Sequence, residues 1–275
     1  RNVDTRVGRR GRPNQVEFRS REKQGSTRDH ALDNPIPNKD VEQEPDEAPV
    51  PLEDRGIEGV TELLLNDKES AAASVVFDAA TYPAGQKETL SGTDRWSDGA
   101  NSTPIEDMKL AMDKLILPPD TLVLGKQTAT YLQLHPKLSK AFNRNEGAEN
   151  VVPLSFLAEI LGLDQVLVGE SRVLTAQDQA NAFGGSTPSR AWGPDAALLH
   201  INENADPTGD GNGIPTFGFT PVFQGSATED MMSGSIDDPD MGMRGGIRQR
   251  VGMSYNEEIS ANELGYFFEN AGDDS

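Results

Sequence analysis

Cysteine is absent from the 275-residue chain, which excludes disulfide staples, thiolate nucleophiles and cysteine-held metals together and suits a reducing cytoplasm. Histidine is nearly as scarce: His30, His135 and His200 are the only three, and none stands in a His-Glu-x-x-His pair. His135 precedes Pro136 and reads as a helix stop, and His200, inside an apolar run, as a satisfied core residue. A Gly-x-Ser-x-Gly elbow is missing too. Gly125-Lys126 has the look of a phosphate loop but has Asp120 where the first glycine belongs and Gln127 in place of the magnesium-holding Ser or Thr. The stretch Asp206, Thr208, Asp210, Gly211 follows a calcium loop until Phe217 falls where the closing glutamate is required, so it reads as a surface turn, and Asp237, Asp238 and Asp240 as a solvated acidic loop. The expectation is a chain without catalytic residues, cofactor or metal. No apolar run approaches the roughly 20 residues of a membrane span, and no apolar signal core follows the arginine-rich start.

What is present is acid, glycine and proline. The net charge is -20 with a pI near 4.5, which opposes gripping a phosphate backbone. With 27 glycines, 18 prolines and 35% hydrophobic residues, much of the chain must be loop or extended arm, and a compact all-helical bundle is unexpected.

The charge is segregated. Residues 1–28 carry nine Lys or Arg against Asp4, Glu17 and Glu22, whereas residues 29–54 carry Lys39 against nine carboxylates. Pro35, Pro37, Pro45, Pro49 and Pro51 keep the second stretch extended, and neither supplies a core of its own. Residues 1–50 therefore read as an arm laid on a neighbouring subunit, with Val16-Glu17-Phe18-Arg19 suited to a ribbon. Arg9, Arg10, Arg12, Arg19 and Arg21 are the candidate contacts on its basic part, and Glu42, Glu44 and Glu47 on its acidic part.

Beyond the arm, the spacing of Ile57, Val60, Leu64, Ala71 and Val75 predicts a helix over 55–78. Thr103, Pro104 and Glu106 form a capping-box pattern ahead of the stripe Ile105, Met108, Ala111, Met112, Leu115. Thr121-Leu122-Val123-Leu124 predicts a buried strand, 128–134 a helix, 155–161 a helix closed by Gly162, and Val166-Leu167-Val168 a strand. Residues 196–201 and 217–219 are strand candidates, 224–246 reads as loop, and Val251, Met253, Tyr255 and Leu264, Tyr266, Phe268 mark two late strands. The class is α+β.

In this order, Leu122-Val123-Leu124-Gly125, Tyr131-Leu132-Gln133-Leu134-His135-Pro136, Leu157-Ala158-Glu159-Ile160-Leu161-Gly162, Gln165-Val166-Leu167-Val168-Gly169 and Arg190-Ala191-Trp192-Gly193 resemble the major capsid proteins of tailed bacteriophages. The resemblance covers nearly the whole chain and implies the Hong Kong 97-type capsid fold. On it, residues 1–50 are an extended arm (E-loop), 51–120 a peripheral domain with the spine helix, 121–246 an axial domain, and 247–275 return strands of the peripheral domain.

It further implies hexamers and pentamers closing into an icosahedral shell around double-stranded DNA that is not read by sequence. Scaffold, portal and decoration proteins are possible partners. Membrane is not a partner, assembly belongs to the host cytoplasm, and the product is a virion capsid. The start at Arg1, not methionine, fits removal of an upstream scaffold segment. The lysine-asparagine bond of some relatives has no matching motif, so a non-covalent shell is expected. An encapsulin nanocompartment is the alternative within the fold, and an enzyme of unknown type the alternative outside it.

Overall fold

In this computed structural model the structure describes residues 5–7, 11–12, 25–45, 50–143, 151–173, 188–205, 215–223 and 231–272. In chain order the elements are β1 (Arg28–Pro37), α1 (Asn38–Glu42), α2 (Leu52–Val76), β2 (Lys87–Thr89), α3 (Pro104–Lys114), β3 (Thr121–Gly125), α4 (Lys126–Leu134), α5 (Pro136–Asn143), α6 (Leu154–Leu161), β4 (Gln165–Gly169), β5 (Arg172–Val173), β6 (Ser189–Arg190), β7 (Ala196–Leu199), β8 (Gly218–Phe219), β9 (Met232–Asp238), β10 (Gly246–Tyr255), β11 (Glu258–Ile259) and β12 (Gly265–Glu269).

The order β2-β12-β7-β3-β4 builds a five-stranded mixed sheet. Side chains alternate across a strand, and here both faces are covered, which is why β3 and β7 read as unbroken apolar runs. Leu122, Leu124, Ala196, Leu198, Tyr266 and Phe268 point into a core shared with α3, α4 and α6. Val123, Ala197, Leu199 and Phe267 point into a second core on the other face, with Ala73, Tyr82, Trp192 and Phe217.

A separate antiparallel ribbon, β1-β10-β9, rests on the first half of α2. Val251, Met253 and Tyr255 of β10 meet Val60 and Leu64 there in a third, smaller core. The 25 residues of α2 span about 37 Å at 1.5 Å per residue, so one helix reaches both this core and, through Ala73 and Val76, the sheet core.

Several expectations are revised. Residues 28–37 are not a free arm. They pair in register with this chain's own β10, Arg28 opposite Tyr255 through Pro37 opposite Gly246. Pro35 and Pro37 are tolerated because β1 is an edge strand, where missing N–H donors face outward. The stretch read as loop over 224–246 contains β9, paired to β10 over seven positions. Pro136 does more than stop α4; it opens α5, since a first-turn proline loses no helical hydrogen bond. Sheet membership also follows different boundaries from 51–120, 121–246 and 247–275, because β12 lies between β2 and β7 in the same sheet as β3.

The capping box of α3 is not closed. Thr103 is the N-cap without a side-chain bond to a backbone amide, and Glu106 is exposed. Asp107 takes the neighbouring donors instead, accepting from the Trp96 indole N–H at 3.0 Å and the Thr103 hydroxyl at 3.2 Å. A buried indole must find an acceptor, and Trp96, 1% exposed, finds it there.

Candidate assembly surfaces

The ribbon and α2 carry most of the charge chemistry. Arg250 and Asp33 are directly opposed in the β10–β1 register and form a two-point contact, Nε to Oδ1 at 2.7 Å and Nη2 to Oδ2 at 2.8 Å. Hydrogen bonding from Arg250 holds the Asp33 carboxyl below its ordinary value. Arg248 pairs with Asp238 on β9 at 3.0 Å, so β10 is bound to both neighbours by charge as well as by backbone. At the far end His30 stacks on Tyr255 with centroids 4.2 Å apart, and Tyr255 reaches Asp67 of α2 at 3.4 Å.

The predicted contact residues divide. Arg9, Arg10, Arg19, Arg21 and Glu47 lie outside the described residues. Arg12 is exposed. Glu42 pairs with Arg244 and Glu44 with Arg55 at 3.1 Å, both within the same chain. The structure thus gives these two acids partners on the ribbon turn and on α2.

Exposed apolar side chains mark other surfaces. Phe223 and Met232 are each 66% exposed, and Met243 at the β9–β10 turn 94%. Leu63 of α2, Leu134 and Val151 are also exposed. β9 itself is exposed along most of its length and, among the described residues, is hydrogen-bonded on one edge only. The sequence conceals this strand because neither of its faces is buried, so no alternation is imposed on Met-Ser-Gly-Ser-Ile-Asp-Asp.

The histidines are held structurally. His200 Nδ1 lies 2.9 Å from Asp120 and 3.0 Å from the Pro118 carbonyl, and both Asp120 oxygens already accept from the Ile201 amide. His135 is 2% exposed; its Nδ1 accepts from the Lys137 amide and its Nε2 meets the Ser102 hydroxyl at 3.0 Å. Because Ser102 donates onward to the Asp98 carbonyl, Nε2 carries the proton. Among the described residues no cluster of three or more His, Asp or Glu can hold a metal.

Desolvation, with Lys137 adding repulsion, depresses His135 below its ordinary 6.5. The unfolded chain then takes up a proton that the folded chain refuses, so stability falls as pH drops below about 6.5, by at most about 1.4 kcal/mol per unit. Thermal melts from pH 8 to 5 are expected to show this fall, and His135→Gln to flatten it; an equal slope in both proteins refutes the assignment.

No family model matches the sequence. The chain is 44% identical over 272 residues to the major capsid protein of Pseudomonas phage JBD67, covering 98% of this chain and 82% of that one. A phage-related protein of Bordetella bronchiseptica superposes with a TM-score of 0.70 at 23% identity, covering 91% of this chain and 78% of its own. The capsid of cyanophage P-SCSP1u superposes with a TM-score of 0.53 at 8% identity, covering 93% of this chain and 80% of its own, and the SrpI encapsulin of Synechococcus elongatus at 0.52 and 7%, covering 89% and 74%. The mixed sheet, the long helix and the ribbon are thus the Hong Kong 97-type fold expected from the sequence, and the extent of identity with the Pseudomonas phage protein places this chain in the family of phage major capsid proteins.

Proposed function

We propose that this capsid protein closes into an icosahedral head of hexamers and pentamers that encloses double-stranded DNA without gripping it, assembling in the host cytoplasm with scaffold, portal and decoration proteins as further partners. Its role is structural, not catalytic. The edge of β9 that is unpaired among the described residues, flanked by exposed Phe223, Met232 and Met243, carries the reading: a chain of this size ordinarily covers or blunts such an edge. In a closed shell each copy covers its neighbour, and many weak contacts sum. The surplus of 20 negative charges keeps the wall from binding its contents.

In this reading α2 with the ribbon forms the peripheral part and the five-stranded sheet with its helices the axial part, and the basic N-terminal segment extends over an adjacent subunit.

Sedimentation and negative-stain microscopy of the purified protein are expected to show megadalton shells with both capsomer types. A monodisperse monomer or dimer under all assembly conditions refutes the proposal. The contents separate phage head from encapsulin: DNA supports the first, protein cargo the second. Reversing Arg9, Arg10 and Arg12 to glutamate is expected to cut shell yield sharply while leaving the subunit melt unchanged, since these charges act between copies. Equal yields remove the basic segment from assembly.

A further inference from the structure

Of the three acids matched to the basic segment, Glu42 is occupied by Arg244 and Glu44 by Arg55, and Asp33 of the same acidic stretch is held by Arg250. The nine basic residues of 1–28 therefore need another acidic surface, and the chain offers one. No Lys or Arg occurs between Ala191 and Met243, while Glu229, Asp230, Asp237, Asp238 and Asp240 fall within twelve positions that include all of β9.

We propose that the open edge of β9 is a strand-addition site, and that its occupant is the basic N-terminal segment of a second copy of this chain, centred on Gln15–Arg21. The inference rests on the assembly reading above and names the surface that serves it.

Four observations converge on this pairing. β9 presents seven residues with one edge hydrogen-bonded to β10 and the other unpaired among the described residues, and an unpaired edge is a template for another extended segment. Gly234 stands mid-strand with nothing within 4 Å of where a Cβ would lie; the fold of the subunit does not require glycine there, whereas the close approach of a second backbone does. The edge is apolar at one end, with Phe223 and Met232, and acidic at the other, with Asp237 and Asp240 exposed. The occupant has the matching chemistry: Val16 and Phe18 supply apolar side chains, and Arg19, Arg21 and Lys23 follow.

The segment comes from a second copy because its own exit is on the wrong side. Arg28 opposes Tyr255 from the β1 side of β10, and Gly25 lies against Glu258. On the β9 side Tyr255 already bridges to Val222, and Phe223 donates to the Ser254 carbonyl. The own segment would have to cross the end of the ribbon.

The absence of cysteine makes disulfide trapping clean. Shells are assembled from a mixture of Val16→Cys protein with Ser233→Cys or Ser235→Cys protein and oxidised mildly. The expected product is a two-chain species joining one copy of each variant, identified by its linked peptide, with yield reduced several-fold by Asp237→Lys and Asp240→Lys. As an independent arm, Gly234→Val is expected to leave the subunit melt unchanged and to depress shell yield.

Shells that form normally but give no linked species at either serine overturn the docking site, as does a Val16→Cys, Ser235→Cys double variant that yields only an internally linked monomer. If the unaltered chain makes no shells at all, the assembly reading itself has failed, and the micrographs distinguish that result from a misplaced docking site.

Discussion

Gly125→Ala is expected to leave no recoverable folded protein. Gly125 ends β3, and a Cβ placed there would lie 1.8 Å from the carbonyl oxygen of Gly193 and 3.0 Å from its carbon. Gly169, its partner in the β3–β4 register, would place a Cβ 2.0 Å from the Trp192 ring. Two facing strand ends are thus stripped of side chains so that the turn at 190–193 can cross them. That turn joins sheet to long helix: Trp192 donates its indole N–H to Glu69 of α2 at 2.8 Å and meets Phe77 edge-on at 5.0 Å.

Overpacking against side chains that can move costs about 1–3 kcal/mol. Here the obstacle is backbone, whose displacement would pull Trp192 from its pocket, so the cost approaches the whole of a total stability of order 5–15 kcal/mol. Gly59→Ala is the counterpart. It lies inside α2 with nothing within 4 Å of the added methyl, and the gain in helix propensity is expected to stabilise by about 0.5–1 kcal/mol. Soluble yield and thermal melting measure both. A Gly125→Ala protein melting with the parent would show that the turn is not held where the structure places it.

The contrast between these glycines shows what a sequence reveals and what it conceals. Nothing in Leu-Gly-Lys or Val-Gly-Glu announces that Trp192, more than twenty residues further on, needs the space. The helices α2, α3 and α6 and the strands β3, β4, β7, β10 and β12 were legible because each buries a face, and burial writes its period into the chain. Leu122 and Leu124 on one side of β3 with Val123 on the other left an apolar run because there was a core on each side.

β1 and β9 are illegible for the opposite reason. They flank β10 and bury little, β9 on neither face, so they carry prolines, aspartates and a glycine that read as coil. The charge segregation was legible, but its pairing was not. Aspartate 33 meets Arg250 across more than two hundred residues, and only the β1–β10 register brings them together. The acidic stretch therefore reads as a neighbour's partner, although Asp33, Glu42 and Glu44 are paired within the chain.

Tyr255→Ala is expected to detach the ribbon while leaving the five-stranded sheet folded. Tyr255 is fully buried and is the largest of the five buried residues of the ribbon core, the others being Val60, Leu64, Val251 and Met253. Truncating a buried aromatic costs about 3–5 kcal/mol, and it also frees His30, which stacks on the ring. None of these five residues belongs to either core of the sheet, so the loss falls on a separate unit that can open by itself. Limited proteolysis is then expected to cut within β1 and the β9–β10 turn while a fragment containing β3, β7 and the helices around them persists, and shell formation is expected to cease. Tyr255→Phe separates packing from the hydroxyl. Desolvation first, then Asp67 and Glu257, push the phenol up to about 12, so it stays protonated and donates weakly to Asp67 at 3.4 Å. Its removal is expected to cost about 1 kcal/mol or less and to leave shells intact. A single cooperative loss of the whole chain in Tyr255→Ala would mean that α2 transmits the damage from one core to the other, and the helix would then be a rigid strut between them, not a beam from which the ribbon can be released.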